Sequence, residues 1–277
     1  MSLSKKSPLI LEHLRKQQML DLLTKGKRID GRSLEEQRPL EIEVDVIKKA
    51  DGSARVKLGN SEVIAGIKVD TGEPFEGLEH KGALIVTAEV LPIASPYVEP
   101  GPPDEDTIEL ARVVDRGIRE AEMVDLEKLV LIPGKTVYTI FVDCSILNAD
   151  GNLFDATSYA VVSALSSCKL PVFKIEDDKV IDTGNKQDPP ITTLPISITA
   201  IKIDDKILVD PSLEEESCME SRITITTNSD RNYTAMQKGS AGAFTIEQIK
   251  HVAKLARIKG EDIRKKLKEQ AEIENGK

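Results

Sequence analysis

The order of elements along this chain predicts an α+β domain, with helices packed on largely antiparallel or mixed sheet. Three observations carry that expectation. Period-2 alternation of apolar and charged residues fills the first third, apolar faces at helical spacing recur in three later segments, and short apolar strands return between the last two of them. The chain has 277 residues, 40% of them hydrophobic and 31% charged, so it is long enough to bury a core as one large or two small domains. Aromatics make up 3% and Trp is absent, so aliphatic side chains fill the core and a surface built on aromatic stacking has little to work with.

Ser7-Pro8 followed by Leu9, Ile10, Leu14, Met19, Leu22 and Leu23, then Gly26, has the cap, first-turn proline and terminal glycine of a helix. Leu40, Ile42, Val44 and Val46 alternate with acids as a half-buried strand does, and the chain turns at Asp51-Gly52. Strands are expected again over 54–58, 63–69 and 83–91. The stretch 100–106 breaks the pattern before a helix over 107–124, a strand over 137–147 and a buried Ala/Ser/Val-rich helix over 155–168. Short strands follow at 172–175, 196–203, 207–209 and 223–227. Thr245 and Gln248 form a capping-box pair that opens the last helix, with Gly260 as its expected interruption and 265–277 as a fraying charged end. The organisation expected is a helical extension over 1–27, a main domain over 28–260 and a charged tail over 261–277.

No apolar run approaches the roughly 20 residues of a membrane span, and no basic-then-apolar leader opens the chain, so a cytoplasmic protein is expected. Cys144, Cys168 and Cys218 are widely spaced and odd in number, which argues against a disulfide framework. His13, His80 and His251 lack companions at metal-ligand spacing, and no cofactor or metal site is expected. The net charge of −9 argues weakly against a general nucleic-acid binder, but an acidic whole can hold a basic strip. GxxxxGK[ST], GxSxG and HExxH are absent, which removes the sequence warrant for nucleotide hydrolysis, hydrolase and zincin chemistry.

Two constellations remain. Arg112, Arg116 and Arg119 lie at offsets of four and three, so they share an arc of roughly 60° on one helix, opposite Leu110, Val114, Gly117, Ile118 and Ala121. Planar guanidinium groups in such a stripe grip phosphate, and the plainer alternative is a solvated face paired with Asp115, Glu109 and Glu120. Asp210 and Glu216 flank Pro211-Ser212-Leu213 beyond a short strand. Paired carboxylates hold Mg²⁺ or supply a general acid; the plainer reading is a strand end followed by a solvated acidic run, Glu214-Glu215-Glu216.

From about Arg28 to Ala256 the chain resembles the RNase PH superfamily, the phosphorolytic 3′ to 5′ exoribonucleases and their relatives. The residues that carry this are Arg28-Ile29-Asp30-Gly31-Arg32 with Arg38-Pro39, Gly52-Ser53-Ala54 with Gly59-Asn60, Ile108-Glu109-Leu110 at the arginine helix, Ala149-Asp150-Gly151 before a small-residue helix, and Asp210 after a strand. With the extra N-terminal helix, it looks like the larger, catalytically silent type of subunit in the archaeal exosome ring. The resemblance implies an RNase PH-like fold with a ribosomal protein S5 domain 2-like core. It also implies a six-membered ring of three heterodimers with an active RNase PH-type subunit, RNA-binding cap subunits as partners, and single-stranded RNA along Arg112, Arg116 and Arg119. Active members carry an Arg-Arg pair ahead of this helix, where Glu105-Asp106 stand here, and a phosphate-binding Gly-Ser-Arg type turn, where Asn152-Leu153-Phe154 stand here. Phosphorolysis needs a positioned, charge-compensated phosphate, so the resemblance implies no catalytic residues and a remnant carboxylate pair in Asp210 and Glu216. The alternative is a phosphate-dependent exoribonuclease with an atypical phosphate site.

Overall fold

A computed structural model describes residues 9–176 and 179–275. The expected cap at Ser7-Pro8 and the last two residues lie outside the described residues. Alternation builds the first sheet from β1 (Leu40–Val44), β2 (Gly52–Leu58), β3 (Ser61–Gly72), β4 (Ala83–Val90), β5 (Val130–Ile132) and β6 (Thr136–Asn148). Its order is β1-β2-β3-β6-β4 with β5 also on β6. Every pairing is antiparallel except β4 with β6, because the chain between them crosses over through helix α2 (Glu105–Arg119). The second sheet is β9 (Ile196–Ile203), β10 (Lys206–Val209), β11 (Ser221–Thr227) and β12 (Tyr233–Gly239), antiparallel in the order β10-β9-β11-β12.

Helix α3 (Leu153–Ser167) lies between the two sheets, buried from Leu153 through Leu165. Its Ala and Ser side chains let strands approach closely: a Cβ on Gly52 of β2 would stand 2.6 Å from the Ala164 carbonyl oxygen. One contiguous aliphatic core joins α3 to both sheets, α2 and α5 (Ile246–Asn275). Helix α1 (Leu9–Thr24) makes a smaller core of its own, with Met19 and Leu23 against Ile201, Ile203 and Leu208. No described helix is long and apolar enough to cross a membrane.

Several expectations need correction. Helix α2 starts at Glu105 and ends at Arg119 rather than covering 107–124, since Asp104 caps it by accepting from Thr107 N at 2.9 Å. The first strand stops at Val44, where Asp45 takes a left-handed φ of 54°. Gly260 does not interrupt α5, which runs to Asn275. It serves packing instead, because a Cβ there would stand 2.7 Å from Thr227 Oγ1 on β11. The segment after Pro211 is helix α4 (Leu213–Cys218), and β8 (Lys179–Gln187), paired with β7 (Leu170–Glu176), and β12 are strands that the pattern does not announce.

Candidate nucleic-acid interface and the cleft beside it

Helix α2 packs Leu110, Val114 and Ile118 inward and carries its arginines on the other side. Arg112 is exposed and makes no hydrogen bond or ion pair among the described residues. Arg116, also exposed, donates from Nη1 to Gln237 Oε1 of β12 at 3.3 Å. Arg119 does not join them. Its guanidinium donates to both Asp115 carboxylate oxygens, at 3.0 and 2.6 Å, and to the Leu84 carbonyl at 2.7 Å, so the expected stripe of three is a pair plus a structural arginine. Glu105 and Asp106 occupy the first turn, where carboxylates stabilise the helix dipole.

The other constellation is a buried network around the start of α3. Asp210 lies just beyond β10 with a φ of 51° and is fully buried. Its Oδ2 accepts from Arg38 N at 2.7 Å, Arg38 Nε at 3.0 Å and Arg32 Nη1 at 3.2 Å. Its Oδ1 accepts from Arg38 Nη2 at 2.8 Å and Asn152 Nδ2 at 2.7 Å. Both oxygens are thus occupied by N–H donors, and no group of three or more His, Cys, Asp or Glu suited to a metal ion occurs among the described residues.

Asn152, in the left-handed region, occupies the N-cap position of α3 without a capping hydrogen bond from its side chain, and links three carboxylates instead. Its Nδ2 also donates to Asp155 at 2.8 Å, and its backbone N donates to Glu216 Oε1 at 2.8 Å. Burial pushes Asp155 up to about 7 despite further hydrogen bonds from Thr199 N at 3.0 Å and Thr199 Oγ1 at 2.8 Å. Burial likewise pushes Glu216 up to about 7. The expected solvated run Glu214-Glu215-Glu216 is therefore wrong for two of its three members. Ser212 and Glu215 form a capping box that starts α4 and turns Glu215 inward onto the Arg28 guanidinium. Arg28 Nε donates to Glu215 Oε1 at 2.7 Å, and Nη1 to the Val209 carbonyl at 2.8 Å.

Leu153 and Phe154 form the buried first turn of α3 and line a cleft of about 230 Å³ with Glu216, Asp106, Glu109 and Arg222. The Arg222 guanidinium lies 3.9 Å over the Phe154 ring and donates from Nη2 to Glu109 Oε1 at 2.7 Å. The structure thus joins Glu105, Asp106 and the arginines on one helix, and Asn152, Phe154, Asp210 and Glu216 around one helix start. Sequence reasoning did not single out Arg222, Glu215, Asp155 or Gln237. The capping box was the one local signal for Glu215; Arg222 and Gln237 are brought in only by the pairing of β11 and β12.

Residues 36–171 match domain 1 of the 3′ exoribonuclease family (RNase PH), and residues 193–259 match its domain 2. The chain is 47% identical over 262 residues to the exosome complex component Rrp42 of Thermococcus onnurineus, covering 94% of this chain and 96% of that one. Its fold superposes on a chain of the Archaeoglobus fulgidus exosome with RNA bound to the active site, with a TM-score of 0.86 at 43% identity over 93% of this chain and 99% of that one. A chain of an archaeal exosome core matches with a TM-score of 0.83 at 40% identity, covering 94% and 98%. With both family domains present in order and the network around α3 joining them, the chain belongs to the 3′ exoribonuclease (RNase PH) family.

Proposed function

We propose that this chain is a non-catalytic, RNA-contacting subunit of an archaeal-type RNA exosome. It alternates with an active RNase PH-type subunit in a ring of three heterodimers, carries RNA-binding cap subunits, and works in the cytoplasm on 3′ to 5′ phosphorolytic RNA degradation. Residues 28–260 form the family unit in this reading, with 1–27 as a helical extension and 261–277 as a charged tail. One observation carries the absence of chemistry: the ring of Phe154, covered by Arg222, lines the cleft where the family's phosphate turn would open. Inorganic phosphate brought there meets Glu216, Asp106 and Glu109, and the one arginine lining the cleft already donates to Glu109. Exposed Arg112 and Arg116 support contact with RNA phosphates, as phosphate-directed guanidinium groups position a strand without reading it.

The test is phosphate-dependent release of nucleoside diphosphates from labelled RNA. The purified chain is expected to stay at background and the mixture with an active RNase PH-type subunit to degrade RNA. Phosphate-dependent turnover by the purified chain alone would overturn the reading in favour of an enzyme with an atypical phosphate site.

A further inference from the structure

Strand β12 forms one edge of the second sheet, and its two ends are tied to different helices. Gln237 accepts from Arg116 of α2 at 3.3 Å. Tyr233 lies four residues earlier, roughly 13 Å along the strand, and the guanidinium carbon of Arg257 from α5 stands 4.2 Å over the centroid of its ring. Just ahead of the strand, Arg231 pairs with Glu261 of α5 at 2.7 Å.

Those last two contacts fix which face of α5 is turned to this edge. Lys250, Lys254, Arg257 and Glu261 lie at offsets of four, three and four, so they share one face of the helix, and Lys254 sits one turn from Arg257. Lys250 spends its ammonium on Glu247 at 3.0 Å. Lys254 and Arg257 are exposed and have no carboxylate partner among the described residues. Tyr233 remains 42% exposed, so Arg257 covers its ring without burying it. In a chain of net charge −9, unpaired cations thus flank one edge strand on both sides, Arg112 on α2 and Lys254 and Arg257 on α5. Lysines are depleted at interfaces between proteins, whereas free cations beside an aromatic face are the means by which single strands of nucleic acid are held.

We propose that single-stranded RNA held by Arg112 and Arg116 continues over the β12 edge to α5, where Tyr233 stacks a base on the ring face opposite Arg257 and Lys254 takes a backbone phosphate. The inference rests on the reading that this chain contacts RNA, and it extends that contact from one helix to a path across the sheet edge. The path tolerates any sequence, because every base has a face to stack.

The test uses the ring reconstituted with an active subunit, its assembly checked by native mass, without inorganic phosphate so that RNA stays intact. Fluorescence anisotropy across a salt series measures affinity for a labelled single-stranded RNA long enough to reach both helices. Tyr233→Ala is expected to weaken binding about fivefold or more at an unchanged salt slope, and Tyr233→Phe to keep it within about twofold, because stacking needs the ring and carries no charge. Lys254→Ala is expected to lower the slope of log affinity against log salt by about 0.7. Arg112→Ala with Arg116→Ala, on the other side of β12, is the reference. Full affinity in Tyr233→Ala and an unchanged slope in Lys254→Ala, with binding weakened by the arginine pair, would overturn the path over β12 and leave the α2 contact standing. A ring that no longer assembles with Tyr233→Ala would overturn it too, by making this edge an interface between subunits. Affinity unchanged by every variant would overturn RNA contact by this chain altogether.

Discussion

Replacing Asp155 by Asn should stabilise the fold, and by more as pH rises from 5 to 7. Asp155 is fully buried, and burial raises its carboxyl from an ordinary 3.8 to about 7. The folded chain therefore holds a proton that the unfolded chain releases above about pH 4. The associated stability is fully present below that point, declines as pH rises toward 7, and is gone above it. At 1.36 kcal/mol for each tenfold change in proton affinity, the whole loss is on the order of 4 kcal/mol. Asparagine has the same shape, no proton to lose, and a way to keep every hydrogen bond. Its carbonyl can accept from Asn152 Nδ2 and Thr199 N, as Asp155 Oδ2 does. Its amide can donate to Thr199 Oγ1, whose own proton can turn to Thr224 Oγ1 at 2.9 Å. Thermal unfolding of both chains at pH 5, 6, 7 and 8 and constant ionic strength measures the gap. About half of the effect, ~2 kcal/mol, falls between pH 5 and 7, so at roughly 2–4 °C per kcal/mol the gap should widen by about 4–9 °C and then level off. A gap constant across this range would refute the reasoning, because it would mean that the donors from Asn152 and Thr199 outweigh burial and Asp155 is ionised in the folded state.

Two further outcomes follow from the arginine helix and the long C-terminal helix. On the proposed reading, in a ring reconstituted with an active subunit, Arg112→Ala and Arg116→Ala should each lower the slope of log affinity against log salt by about 0.7 for single-stranded RNA, while Arg119→Ala should leave it unchanged; equal slopes in all three would show that the exposed pair is only solvated. Gly260→Ala gains up to ~1 kcal/mol of helix propensity but sets a methyl 2.7 Å from Thr227 Oγ1, and overpacking typically costs ~1–3 kcal/mol, so denaturant midpoints should fall.

The parts of the fold legible in the sequence are those where a local pattern and a tertiary demand coincide. Strand β3 alternates because one face is buried, and α3 reads as buried because small residues leave it no polar face. The parts that were not legible depend on partners distant in the chain. Helix α4 is six residues long, too short for periodicity to emerge, and its run of glutamates reads as solvent-facing until Arg28, 187 residues away, supplies a buried counter-charge for Glu215. Gly260 reads as a helix breaker until β11 demands a close approach. Arg119 shares an arc with Arg112 and Arg116, but spacing cannot show that the Leu84 carbonyl takes one of its donors. The site follows the same division: Asn152, Leu153 and Phe154 are singled out from the sequence by the resemblance, as a proposed departure from the active members' turn, whereas Arg222 over Phe154 requires β11 to be in place.

The same network bears on whether chemistry could be restored by a single change. Asp210, which the family resemblance marks for metal or acid work, has both oxygens filled by Arg38, Arg32 and Asn152, and so acts as the charge that anchors two arginines and the start of α3. Removing it would leave Arg38 and Arg32 short of their buried counter-ion, so loss of function in such a variant would report on folding before chemistry. Replacing Phe154 by a small residue would open space without a donor, because Arg222 would still be held by Glu109 and the cleft would still carry Glu216 and Asp106. Anion binding there needs the turn rebuilt, Arg222 freed and the acidic rim neutralised together. On the proposed reading the departures from an active site are therefore coupled through shared hydrogen bonds, and a phosphate-binding variant has to change α2, α3 and α4 at once.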